Sequence, residues 1–217
     1  MPGRARLNQR SAFWLPYADE VWLHGGHHQI RILMKKIVLG SFLGAVAMLM
    51  WGAVFWMGPL PKGVALTARD ESALGQALRQ HLHASGTYTL PGLATEPKRA
   101  EELAQKGPFA VIHYRSIGGP LPDPSLLLRG FLIEWVTVAL IACLMQMAFP
   151  VLNSYMRRVL FVMLAAITLA IHTDAGAVVW WHHDASWAWL MALYDVSAWT
   201  LAGLVLAAFV KPSQTSR

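Results

Sequence analysis

Four ionisable side chains stand in strongly apolar surroundings: Glu134, His172, Asp174 and Asp195. Inside a membrane span each would cost about 2.5–3.5 kcal/mol on insertion scales, so each calls for a partner or a purpose. Position converts to depth at roughly 1.5 Å per residue along a helix. Glu134, His172 and Asp195 each lie about eight or nine residues from the polar end of their apolar run, roughly 12–14 Å deep by that rise. Asp174 sits slightly nearer the polar end. Three readings of this buried polar cluster are open. It is a structural knot in which His172 shares a proton with a carboxylate, a ligand or metal site, or a path for protons or ions. One imidazole with carboxylates is short of the ligand set that zinc or copper usually takes.

A second group is rich in histidine: His182-His183-Asp184, His81 with His83, and His113. Folded together, these residues would make a metal-loading mouth above the deeper group. Against this, His81 and His83 are two apart on a helix and diverge, and solvated surface histidines are the competing reading. Haem between two spans needs facing histidines, and only His172 lies well inside a span. Cys143, Met145 and Met147 alternate by two on a helix, which suits ordinary packing better than a soft-metal site. Gly40, Gly44 and Gly52 stand at multiples of four, the small-residue surface that lets membrane helices approach closely. It would serve either internal packing or a homodimer. No phosphate-binding glycine loop, nucleophile elbow or HExxH zinc helix is present in the sequence, so no cofactor is expected.

The elements that would position these residues are hydrophobic runs. The chain has 217 residues, 55% hydrophobic and only 14% charged, against roughly 25% charged in soluble domains. Crossing a bilayer takes about 20 apolar residues. Four runs qualify: Ile37–Met57, Leu126–Phe149, Val159 to about Trp181, and about Trp187 to Val210. The expected fold is an all-α membrane protein, a four-transmembrane-helix bundle with a small α+β extracytoplasmic loop domain between helices 1 and 2. Arg31, Lys35 and Lys36 precede the first run, Arg157 and Arg158 link the second and third, and Lys211 follows the fourth. The other short link carries no Lys or Arg. The positive-inside rule therefore predicts both termini in the cytoplasm. Trp56, Trp180, Trp181, Trp187 and Trp189 gather at the expected outer boundary. The net charge of +6 forms no basic stripe with interleaved aromatics, which argues against nucleic acid.

The boundaries follow. Residues 1–33 read as a poorly ordered leader, with an interfacial segment around Phe13, Trp14 and Val21–Leu23 as the alternative; Met34-Lys35-Lys36 looks like a natural start. Residues 34–59 form the first span, read as an uncleaved anchor rather than a signal peptide. The loop 60–125 is too long for a plain connection. Asp70–His83 predicts a helix capped by Asp70, and Pro97–Lys106 a second helix closed by Gly107. Thr87–Leu90 and Phe109–Arg115 predict short strands. Residues 126–217 hold the remaining spans and a short tail. One cysteine, Cys143, allows no intrachain disulfide to help a thin core.

From Met34 onward the chain resembles a group of bacterial inner-membrane proteins with no assigned activity. The resemblance is carried by Met34-Lys35-Lys36, Trp51-Gly52 with Trp56, and Ser85-Gly86-Thr87-Tyr88 followed by Pro91. Gly107-Pro108-Phe109 and the closing Trp199–Ala207 complete it. It implies architecture and location, not a reaction. The expected role is a non-enzymatic accessory or interaction module of the inner membrane. The alternative is a small oligomeric transporter, or a metal- or proton-handling protein, built on the buried group; an enzyme is the weakest class. Expected partners are the lipid bilayer and a second copy or another membrane protein.

Overall fold

The computed structural model describes residues 26–121 and 123–211. The chain is mostly helical, with four helices long and apolar enough to cross a membrane and one two-stranded sheet. The first long helix, α1, covers Gly26–Met57 and stops where Gly58-Pro59 breaks the pattern. The helix takes in residues 26–33, which the sequence assigns to the leader; residues 1–25, with Phe13, Trp14 and Val21–Leu23, lie outside the described residues. A short α2, Pro59–Val64, follows.

Between the first two long helices lie two further helices and two strands close to the expected positions: the first helix and second strand are shorter, the second helix is unchanged and the first strand gains Gly86. Helix α3 runs Glu71–His81, and the Asp70 carboxylate accepts the Ala73 N–H at 2.9 Å, satisfying a donor that the first turn leaves open. Helix α4 spans Pro97–Lys106 and ends at Gly107, whose φ of 64° is easy only for glycine. Strands β1 (Gly86–Leu90) and β2 (Ala110–Tyr114) pair antiparallel, with Tyr88 opposite Ile112. Neither α3 nor α4 contains a buried residue.

The other long helices are α5 (Pro124–Met147), α6 (Tyr155–Ala170) and α8 (Ala185–Phe209). A five-residue π turn, Ile171–Ala175, joins α6 to α7, Gly176–Trp181, so that Tyr155–Trp181 is one continuous span. Helices α1 and α8 form the central pair and run in opposite directions. Gly40 meets Leu206, Phe209 and Val210, Gly44 meets Ala202, and Gly52 meets Tyr194. Helix α5 flanks α1, and α6 flanks α8, while α5 and α6 touch only sparingly. The core runs through Ile37, Met48, Val138, Met145, Val162, Ala202 and Leu206. Gly203 lets α6 close on α8, since a β-carbon there would sit 3.0 Å from Val162 Cβ.

Arg158 is the one buried charged side chain among the described residues, 5% exposed. Its guanidinium donates to the Ala207 carbonyl at 3.3 and 3.2 Å and to the Leu152 carbonyl at 3.2 Å. Ala207 lies in the last turn of α8, where carbonyls lack helical partners. A residue that reads as part of a charged link thus ties two helix ends together.

Candidate functional site

The best-defined polar constellation is assembled by α8. Tyr194 and Asp195 lie on consecutive positions, and Tyr194 is seated against α1 by Phe55 at 5.2 Å and Trp56 at 5.4 Å between ring centroids. Gly52 makes the seat possible, because a β-carbon there would come within 3.0 Å of the Tyr194 hydroxyl. One turn away, Trp51 Nε1 donates to Ser197 Oγ at 2.8 Å, fixing the level of α1 against α8.

Three carboxylates belong to the neighbouring helices: Asp195 follows Tyr194 directly on α8, Asp174 lies in the π turn that packs against α8, and Glu134 lies on α5. Glu134, Asp174 and Asp195 are each partly buried. Glu134 Oε2 and Asp174 Oδ2 are enclosed, yet no donor meets them. The single ion pair among the described residues is Arg99–Glu102, far along the chain. Leaving a buried acceptor unmatched costs about 1–3 kcal/mol.

The geometry departs from the sequence reading in three places. His172 is exposed, whereas Glu134, Asp174 and Asp195 are partly buried. Its depth follows from counting, but the π turn beginning at Ile171 changes the direction in which the helix presents its side chains. Second, Tyr194 belongs to the group and the sequence reading omitted it. The available signal was Gly52, whose missing side chain has to be filled by something on a facing helix.

Third, the histidine-rich rim does not converge. Among the described residues no three His, Cys, Asp or Glu side chains are grouped as a metal site would need. The residues have local duties instead. His182 ends α7 with a left-handed φ of 54°. The Asp184 carboxylate caps α8 by accepting the Trp187 N–H at 2.9 Å. His113 Nδ1 lies 3.1 Å from Thr87 Oγ1 across the two strands, and His81 and His83 are exposed. His182 also packs against Phe109 at 5.0 Å, bringing the loop segment to the helix ends. The glycine face of α1 is taken up by α5 and α8, with Gly44 against Val138 and Ala202. Cys143 is free and exposed.

No protein-family model, curated protein or solved structure matches the chain.

Proposed function

We propose that the chain is a multi-pass protein of the bacterial inner membrane, with both termini in the cytoplasm. On this reading residues 60–125 form an outer cap, and the protein acts as a non-enzymatic accessory module that engages a partner through it. The observation that carries this is the cap's unfinished packing. Its helices α3 and α4 contain no fully buried residue, and Leu66, Leu93 and Leu121 are 98%, 85% and 94% exposed. Apolar side chains spread over so thin a core gain about 25 cal/mol for each Å² that a partner covers. The orientation is supported by Arg31, Lys35, Lys36, Arg157, Arg158 and Lys211, which all flank the same expected side. The test places a photo-crosslinking amino acid at Leu93 or Leu121 and a topology reporter after Arg217. A discrete crosslinked product with a cytoplasmic reporter supports the reading; a reporter active outside the cytoplasm ends it.

A second reading is favoured by the enclosed, unmatched oxygens of Glu134 and Asp174. Three carboxylates and a phenol with no cationic side chain among them would accept a proton or a small cation, giving a proton- or cation-handling protein. The α1 glycines are occupied internally, so an oligomeric transporter would assemble through another surface. Reconstitution beside Glu134→Gln and Asp195→Asn variants separates the readings. Cation or proton flux that both variants abolish favours the second, and equal, background flux removes it.

A further inference from the structure

A shallow groove of about 550 Å³ lies where α5 crosses the first half of α1, lined by Met34, Lys35, Val38, Leu39, Phe42 and Trp135. Its walls are hydrocarbon apart from the Lys35 ammonium. They are also held in place. Trp135 Nε1 donates to Ser41 Oγ at 3.1 Å, and its ring meets Phe42 edge-on at 5.5 Å. Met34, Val38, Leu39 and Phe42 all face outward from the helices. Both Ile37–Phe42 and Trp135 belong to segments long and apolar enough to span a bilayer, so hydrocarbon chains are what such walls would meet there.

The mouth is basic. Arg31 and Lys35 are four residues apart on α1 and share a face, and Lys36 adjoins them. No acidic side chain lines the groove. We infer that this groove is a binding site for one anionic phospholipid, its acyl chain along Val38, Leu39, Phe42 and Trp135 and its headgroup phosphate at Lys35 and Arg31. Charge complementarity selects the headgroup, since each basic side chain near an anionic surface contributes roughly five-fold in affinity. The fixed aromatic wall distinguishes a site from the general attraction of basic flanks to lipid.

The inference rests on the membrane-spanning reading but not on the proposed orientation or role. The test uses the purified full-length protein in micelles doped with phospholipid brominated on its acyl chains, and reads quenching of tryptophan fluorescence. The part of the signal lost in Trp135→Phe reports the groove. We expect brominated phosphatidylglycerol to quench that part at a several-fold lower mole fraction than brominated phosphatidylcholine. Lys35→Gln should shrink the difference by roughly five-fold and Lys35→Gln with Arg31→Gln should erase it, while Arg157→Gln, a basic residue elsewhere, should keep it. The zwitterionic curve of each variant serves as its folding control. Identical curves for the two lipids, or an unchanged preference in Lys35→Gln, overturn the inference. A reporter that reverses the orientation would leave this readout as it is, so the two failures are distinguishable.

Discussion

The hydroxyl of Tyr194 fills the space that a β-carbon on Gly52 would need, with 3.0 Å between them. This contact joins the central helix pair. Gly52→Ala should therefore destabilise the protein by about 1–3 kcal/mol, the usual cost of overpacking. Tyr194→Phe, which removes the crowding atom, should recover most of the loss in the double variant. Thermal unfolding in detergent, carried through the four-protein cycle, measures the coupling.

Gly203 predicts a sharper response. A β-carbon there meets Val162 Cβ at 3.0 Å and Cγ1 at 3.2 Å, and a branched carbon cannot swing aside as a phenol tip can. Gly203→Ala should be more damaging than Gly52→Ala under the same melt, with Val162→Ala as its partial rescue.

Arg158 is enclosed and bonded to carbonyls of Ala207 and Leu152. Arg158→Ala discards charge-assisted hydrogen bonds worth about 1.5–3 kcal/mol each at most and leaves the carbonyls unmatched. Its neighbour Arg157 is exposed, and Arg157→Ala should cost under about 1 kcal/mol. Unfolding in sodium dodecyl sulfate titrations of the two variants gives the comparison.

The Asp184 cap and the left-handed His182 make different predictions for neighbouring residues. Asp184→Ala loses the bond to Trp187 N–H and should cost about 1 kcal/mol. His182→Gly keeps the φ of 54° without its steric cost. Loss of the ring contact with Phe109 offsets that gain, so the variant should melt close to the wild type, and added zinc should shift the melting of neither variant.

Asp123 carries a pH dependence. Hydrogen bonds from the Ser125 hydroxyl and backbone N–H hold its carboxyl below the usual range, with Arg129 and Arg115 adding to the effect. A folded-state pKa below the unfolded one, about 3.9, makes the contribution fully present above that value. It is lost as pH falls through the folded pKa. The stability gap between the wild type and Asp123→Ala should hold at neutral pH and narrow in acid below about pH 4. A gap that widens in acid would contradict the assignment.

How far these features could be read beforehand depends on whether they follow from distance along the chain or from direction around it. The long helices were visible because apolar length is a linear property. Asp70, Pro97 and Gly107 announced helix ends because capping uses residues close in sequence. Depth is also linear, so the expected level of Glu134 and of Asp195 follows from counting along each helix. Direction is not. His172 was grouped with the carboxylates by depth, yet it faces outward beside a π turn that no residue pattern advertises. Tyr194 carries no signal of its own, because an aromatic in the middle of an apolar run passes for ordinary packing. His182-His183-Asp184 looked like ligands since composition does not show that two of the three end one helix and begin the next.

The π turn at Ile171–Ala175 also sets what the third span can lose. Such a turn is a regular helix with one residue too many. Removing a single amino acid from that stretch would let the ladder close up with both flanks keeping their faces. The same deletion at Val162 would swing everything beyond it by about 100°. The gene should thus accept a lost codon at this one place in the segment and reject it a few turns earlier.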